Sequence, residues 1–239
     1  MQALILAGGK GTRLRPYTAV LPKPLMPVGD YPIIEIILRQ LRNADFTEVI
    51  LAVGYMSQLF QAFFQDGSRY DIRISYSFEE NSLGTAGPIA LVIDKLQDDF
   101  LVMNGDLLTT LNYRNLFLFH RKVNAAATIG LYRREVKIDF GVIEADNEGK
   151  LVRYREKPVY HLDVSMGVNV MNKKTVAPYL KAGEYLDIPQ LMMQLCDDGH
   201  KVHCFTEDCF WLDIGRIDDY ETATGIFESR IKEFLPERK

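Results

Sequence analysis

Between Met1 and Pro27 the chain carries four cations, Lys10, Arg13, Arg15 and Lys23, and no carboxylate, although its overall formal charge is -4. They stand among glycines and prolines in LAGGKGTRLRPYTAVLPKPLMP. Cations beside glycine backbone suit a polyphosphate: N–H groups approach an anion where no Cβ intervenes, Thr12 adds a hydroxyl and Arg13 a forked guanidinium. Two familiar phosphate loops do not fit GGKGTRL. The third glycine of G-x-G-x-x-G falls on Leu14, with Pro16 preventing a long helix, and the Gly-Lys of a Walker loop is here followed by Gly11 instead of Ser or Thr.

Two carboxylates complement this cationic loop. Asp106 follows the apolar run FLVMNG and Asp213 follows FWL, so both are expected at strand ends. A lone aspartate there is commonly a turn or helix-cap residue, but a pair provides hard oxygen ligands for Mg²⁺, which keeps waters and phosphate oxygens in its shell. The two histidines and two cysteines of HKVHCFTEDC, 200–209, match no zinc spacing. Alternation in KVHCF predicts a strand with Cys204 packed toward a core, and MMQLC predicts the apolar face of a helix.

The elements that must position these groups alternate through the first half: ALILA, an amphipathic helix over 33–44, EVILAVG, a helix from Ser57, DIRISYSF, a helical stretch after LGTAGP, and FLVMNGD. Continuous apolar runs predict strands covered on both faces, and strand–helix–strand order predicts right-handed crossovers in a mostly parallel sheet. Ligands of such sheets bind beyond the carboxyl ends of the strands, where both the glycine loop and Asp106 fall. From about Ala125 short strands predominate (AAATIGLYRR, FGVIEAD, KLVRYREKP) with a turn at NEG, and a closing helix is expected from Ile217 to about Lys232. We expect one α/β domain over 1–239, a Rossmann-like mixed sheet with helices on both faces. Its first half runs to about 124; the rest, from about 125, adds a small β-rich lobe and the closing helix.

With 239 residues, 47% hydrophobic and 25% charged, the chain has ample core-forming material. Its acidic balance disfavours a nucleic-acid polymer as partner. Three cysteines, Cys196, Cys204 and Cys209, cannot all pair, which points to reduced thiols in a cytoplasm. No signal peptide is evident, and no apolar run approaches the ~20 residues a bilayer requires.

LAGGKGTRLRPYT with LPKPLMPVG resembles the signature of sugar-1-phosphate nucleotidylyltransferases. ENSLGTAGP, VMNGD, DFGVIEAD, REKP and WLDIGRIDDY resemble further blocks of that family in the family's order, covering essentially the whole chain. The resemblance is nearest to mannose- and heptose-1-phosphate guanylyltransferases. It implies nucleotidyl transfer from an NTP to a sugar 1-phosphate with Mg²⁺ as cofactor, and Asp106 and Asp213 as metal ligands. Arg13 would pair with the leaving pyrophosphate, and Lys23, held between Pro22 and Pro24, would contact the α-phosphate. Leu6, Ala7, Gly8, Gly9, Gly11 and Thr12 would hold the triphosphate side, and Glu80, Asn81, Gly84 and Thr85 the base and ribose. Gly141, Glu156, Lys157, Ser165 and Gly167 would hold the sugar phosphate.

One segment departs from the family pattern. Where many relatives read NAGIY this chain reads SMGVN, so Ser165 replaces a sugar-contacting Asn and Asn169 an aromatic residue. The sugar is therefore open, and a small phosphorylated alcohol such as phosphocholine is an alternative acceptor. A noncatalytic subunit that binds NDP-sugars is a third reading, opposed by the presence of Arg13, Lys23 and both aspartates. GTP is favoured as donor, and self-association is left open.

Overall fold

The computed structural model describes residues 1–236. A seven-stranded sheet forms its centre, in the spatial order Val202–Thr206, Ala127–Lys137, Val159–Asn172, Asp99–Asn104, Gln2–Ala7, Glu48–Val53, Arg73–Phe78. All pairings are parallel except the two made by Val159–Asn172, the one reversed strand. Strands from both halves of the chain thus share one sheet.

The run ALILA explains why this sheet is covered on both sides. Ala3, Ile5 and Ala7 enter one buried cluster, with Val49 and Leu51 beside them, while Leu4, Ile50 and Ala52 enter a second on the opposite face. Successive strand residues point to opposite faces, so only a continuous apolar run satisfies two cores. The helix Ile33–Asn43 buries Ile33, Ile34, Ile37, Leu38 and Leu41, and an i,i+4 ion pair between Glu35 and Arg39 (2.7 Å) lies along its flank.

Several sequence expectations are corrected. The stretch after LGTAGP forms only a short helix, Gly87–Ala90, and a 3-10 turn, Ile93–Lys95. The closing helix breaks at Arg230, giving Ile217–Ser229 and Ile231–Phe234. Cys204 is exposed, because Val202–Thr206 is an edge strand; its neighbours His203 and Phe205 instead meet Phe119, ring centroids 6.4 and 5.3 Å apart. In the helix Ile188–Asp197 the buried residues are Leu191, Met192 and Leu195, leaving Met193 and Cys196 exposed.

The strands Ala127–Lys137 and Val159–Asn172 outrun their neighbours and continue together as a ribbon, pairing from Ser165 opposite Leu131 out to Val159 opposite Lys137. The hairpin Val142–Ala145 and Leu151–Arg155 hangs between their far ends. This is the β-rich lobe. Among the described residues no helix is long and apolar enough to cross a membrane.

Away from the carboxyl ends of the strands, His120 is buried, with Nδ1 2.9 Å from the Thr128 hydroxyl and Nε2 3.6 Å from Asp99. Burial lowers its pKa, against the opposing pull of Asp99. The unfolded chain therefore takes up this proton first as pH falls: the contribution to stability is complete above the ordinary histidine value of about 6.5 and is lost as pH drops through the lower folded value. A His120→Gln variant is expected to lose less unfolding free energy than wild type between about pH 7 and about pH 5. Identical losses in urea titrations would show that this proton is not linked to folding.

Candidate active site

Four strand ends meet where the glycine loop leaves the sheet. The strand Gln2–Ala7 delivers Gly8, Glu48–Val53 delivers Gly54, Arg73–Phe78 delivers Glu79, and Asp99–Asn104 delivers Asp106 two residues on. A Cβ on Gly8 would stand 2.7 Å from Glu79 Oε1, and one on Gly54 would stand 3.2 Å from the Gly8 carbonyl oxygen. Glycine at these positions lets the loop ends close on one another.

Two chambers open from this junction and share Leu6, Gly9 and Asp106. The first is lined by the loop residues Ala7, Gly11, Thr12 and Arg13 together with Lys23 and Gly215. Gly11 holds a left-handed conformation (φ 60°), its carbonyl accepts a hydrogen bond from Thr18 Oγ1 at 2.8 Å, and a Cβ there would stand 3.1 Å from that of Lys23. The glycine thus folds the loop back onto the Lys23 turn.

Lys23 is the centre of the charge arrangement. Its 3-10 turn, Lys23–Leu25, is fixed by Leu25 N donating to the Pro22 carbonyl at 2.8 Å and Met26 N to that of Lys23 at 3.0 Å. The side chain is 9% exposed, and its ammonium donates to Asp106 Oδ2 and contacts Asp213 Oδ1 at 3.5 Å. Asp213 arrives from over a hundred residues away because Trp211–Asp213 pairs antiparallel with Leu107–Thr109, setting Asp213 opposite Leu107. A Cβ on Gly215 would lie 3.8 Å from Arg13 Nη1 and 4.0 Å from Asp213 Oδ1, so guanidinium and carboxylate converge there. Burial and the neighbouring Asp106 charge raise the Asp213 pKa, while Lys23 and Arg13 oppose them. Asp106 Oδ1 is buried and, among the described residues, has no hydrogen-bond partner.

The second chamber, about 840 Å³, is lined by Gly8, Lys10, Glu79, Glu80, Asn81, Gly84 and Thr85, with Asn104, Tyr185 and Asp187. Gly84 has φ 76°, and the space its Cβ would fill belongs to the Leu186 carbonyl and, at 2.9 Å, to the Asp187 carboxylate. Asp187 accepts from Thr85 N at 3.0 Å and Thr85 Oγ1 at 3.1 Å, while Tyr185 OH donates to it at 2.7 Å. The Gly84–Thr85 turn is therefore held from behind. Glu79 is half-buried, its pKa raised by that burial, and Leu83 N donates to its Oε2 at 3.4 Å.

Of the remaining sequence candidates, Ser165 and Gly167 lie on the strand Val159–Asn172, and Gly141, Glu156 and Lys157 in the connections that flank the hairpin. Gly167 (φ 72°) sits at the root of the ribbon, where a Cβ would stand 2.7 Å from Asn104 Nδ2, and its N–H donates to Ser165 Oγ at 3.4 Å. Trp211 Nε1 donates to the Met166 carbonyl at 2.9 Å, tying this root to the strand of Asp213. Asn169 is buried in the sheet. Glu156 and Lys157 are exposed, the former accepting from Tyr154 OH at 3.3 Å, and the Cβ space of Gly141 is filled by the Tyr154 hydroxyl. Gly141, Glu156, Lys157, Ser165 and Gly167 do not line either chamber.

Sequence reasoning missed Glu79, Asn104, Tyr185 and Asp187. Glu79 carried a signal: it is the first residue beyond a strand's carboxyl end. Asp187 carried none, since its partner Thr85 is more than a hundred residues away.

A family model for nucleotidyl transferases matches residues 2–229. The chain belongs to the nucleotidyl transferase family. It is 32% identical to a UTP–glucose-1-phosphate uridylyltransferase of Synechocystis, over 97% of this chain and 65% of that protein. It is 33% identical to a mannose-1-phosphate guanyltransferase of Schizosaccharomyces pombe, over 99% and 67%, and to a mannose-1-phosphate guanylyltransferase of Mycobacterium tuberculosis, over 92% and 62%. This nucleotidyl transferase chain thus spans about two thirds of the length of these relatives. Among solved structures, HddC of Yersinia pseudotuberculosis, complexed with GMP-PN, superposes with a TM-score of 0.72 at 21% identity over 95% of this chain and 99% of that one. A Bacillus anthracis protein crystallised with sucrose superposes at 0.76 with 24% identity over 95% of each. Both share the fold described above.

Proposed function

We propose that this protein transfers a guanylyl group from GTP to a sugar 1-phosphate, releasing pyrophosphate and forming an NDP-sugar. The observation that carries this reading is the Lys23–Asp106–Asp213 cluster, with Arg13 beside it, at the junction of a phosphate-suited chamber and a base-sized one. The acceptor phosphate attacks the α-phosphorus, forming a new P–O bond as the bond to the β-phosphate bridging oxygen breaks and pyrophosphate departs. A phosphate monoester is largely ionised at neutral pH, so no general base is needed; catalysis is positioning and charge stabilisation. The glycine loop and Thr12 hold the triphosphate, Arg13 takes up charge on the departing pyrophosphate, and Lys23 balances charge at the α-phosphate. Gly141, Glu156, Lys157, Ser165 and Gly167 serve the sugar phosphate from the ribbon and its hairpin.

The residues present fit a divalent cation. Asp106 lines both chambers and has a buried oxygen unpartnered among the described residues, Asp213 is adjacent, and the two carboxylates leave room in an octahedral shell for phosphate oxygens and water. When bound, Mg²⁺ would neutralise charge on the reacting phosphates. Three unpaired cysteines accord with residence in a reducing cytoplasm.

Glu79 favours guanine. A carboxylate only accepts hydrogen bonds, and guanine alone among the common bases presents two adjacent donors, N1–H and N2–H₂, on one edge. Uracil and thymine offer one donor flanked by two carbonyls that a carboxylate repels. Glu79→Gln is expected to lower kcat/KM for GTP by roughly 10- to 100-fold, the worth of a bidentate base contact, and to relax selection against UTP. Unchanged selectivity would remove Glu79 as the base-reading group.

The reading is tested by pyrophosphate release with Mg²⁺ across GTP, UTP, CTP, dTTP and ATP, against several sugar 1-phosphates and phosphocholine. Release only with GTP and a sugar 1-phosphate is the expected result. Release with phosphocholine alone would replace the acceptor class, and silence from a protein that binds nucleotide would overturn the catalytic reading.

A further inference from the structure

A second cationic cavity, about 500 Å³, lies beside the helix Ile33–Asn43 and shares no residue with either chamber. Its walls carry Arg39, Arg42, Arg69 and Lys232, with the rings of Tyr31 and Tyr70 between them. Arg39 and Arg42 come from the later turns of that helix, Arg69 and Tyr70 from the 3-10 turn Ser68–Tyr70 before the strand Arg73–Phe78, and Lys232 from the closing helix Ile231–Phe234. Three separate segments thus bring cations to one cavity in a chain whose net charge is negative.

The guanidiniums are arranged by the rings. Arg39 Cζ lies 5.2 Å from the Tyr31 centroid and 5.8 Å from that of Tyr70, and Arg69 Cζ lies 4.9 Å from the Tyr70 centroid. Such stacking holds a guanidinium in place while leaving its edge donors available. Arg39 is already paired with Glu35. Among the described residues, Arg42, Arg69 and Lys232 have no carboxylate within ion-pair distance, and Arg42 Nε is buried with no hydrogen-bond partner. Asp71 is the one acid among the described residues that line the cavity, so cations outnumber it. A buried guanidinium N–H without an acceptor costs free energy unless a ligand supplies one.

We propose that this cavity is a second anion site, distinct from the reaction cleft, that binds a phosphate-bearing small molecule. The forked donors of Arg42 and Arg69 suit the oxygens of a phosphate group, Lys232 adds a point charge, and the tyrosine rings give the remainder of the ligand an apolar surface. The site lies on the same helix whose first residue, Ile33, donates to the Met26 carbonyl at 3.1 Å, just after the Lys23 turn.

Equilibrium binding of radiolabelled inorganic phosphate to the full chain tests this, with chloride at matched ionic strength as control. Wild type is expected to show two classes of site. Arg42→Gln/Arg69→Gln should lose one of them by at least about tenfold in affinity, the scale of a lost charge-assisted contact. It should keep wild-type turnover without added phosphate. Arg13→Gln should lose the other class. The single variant Arg69→Gln, at an exposed position, should show the same selective weakening if the double variant fails to fold. Wild-type phosphate binding in these cavity variants, a single class of site in wild type that Arg13→Gln removes altogether, or equal occupancy under chloride competition would each overturn the proposal. None depends on which nucleotide or sugar the reaction uses.

Discussion

Asp106→Asn is expected to lower kcat by about 10²- to 10³-fold, the cost of deleting one preorganised charge-stabilising group, and to leave the fold intact. The substitution keeps the shape and removes the charge. Asp106 follows the strand Asp99–Asn104 with one oxygen on Lys23 and the other buried and unpartnered. Stability should change little, because two terms oppose one another: the attraction of Lys23 for Asp106 is lost, and the repulsion by which Asp106 raises the Asp213 pKa is relieved. Single-turnover kinetics with Mg²⁺, beside a thermal melt, separates these effects. A low kcat with a Tm near wild type is the outcome expected of a group that acts on the reacting phosphates. A wild-type kcat would show that neither metal nor phosphate depends on this carboxylate.

How far the site was legible depended on the distance over which its residues were brought together. Gly11, Thr12, Arg13 and Lys23 lie within one loop, where glycine, proline and unopposed positive charge are local signals. Asp106 and Asp213 could each be read as strand-end carboxylates, but their meeting rests on the pairing of Leu107–Thr109 with Trp211–Asp213, a long-range register that periodicity does not encode. The doubly covered strands were legible for a related reason: burial on two faces demands the continuous apolar runs of Gln2–Ala7 and Glu48–Val53. The ribbon was read less well. Over 159–165 the strand Val159–Asn172 lies largely exposed outside the layered core, so no buried face imposes alternation on it. Cys204 failed for the same reason, since alternation in an edge strand predicts two faces but not whether both are covered.

Lys23→Met probes the other half of the charge cluster, and the expected loss is of similar size in activity but larger in stability. Methionine matches the length and apolar stem of the lysine, so the packing between Pro22 and Pro24 survives while the ammonium disappears. Asp106 and Asp213 then face one another with Arg13 as the nearest remaining cation. Losing hydrogen bonds to charged groups at a buried position costs about 1.5–3 kcal/mol; Asp213, 47% exposed, is partly relieved by water, which places the cost toward the lower end. Turnover should fall at least about 100-fold, because no fixed cation remains to balance the α-phosphate as charge redistributes. A third readout separates this role from simple packing. In wild type the ammonium already offsets part of the charge of the two carboxylates, so Mg²⁺ without nucleotide should raise the Tm only slightly. In Lys23→Met the carboxylates lose that ammonium, and Mg²⁺ should raise the Tm clearly more than in wild type, by mass action on the folded state. Full turnover in the variant would assign Lys23 to structure alone, and an Mg²⁺ response equal to wild type would show that the two aspartates do not form the divalent-cation site.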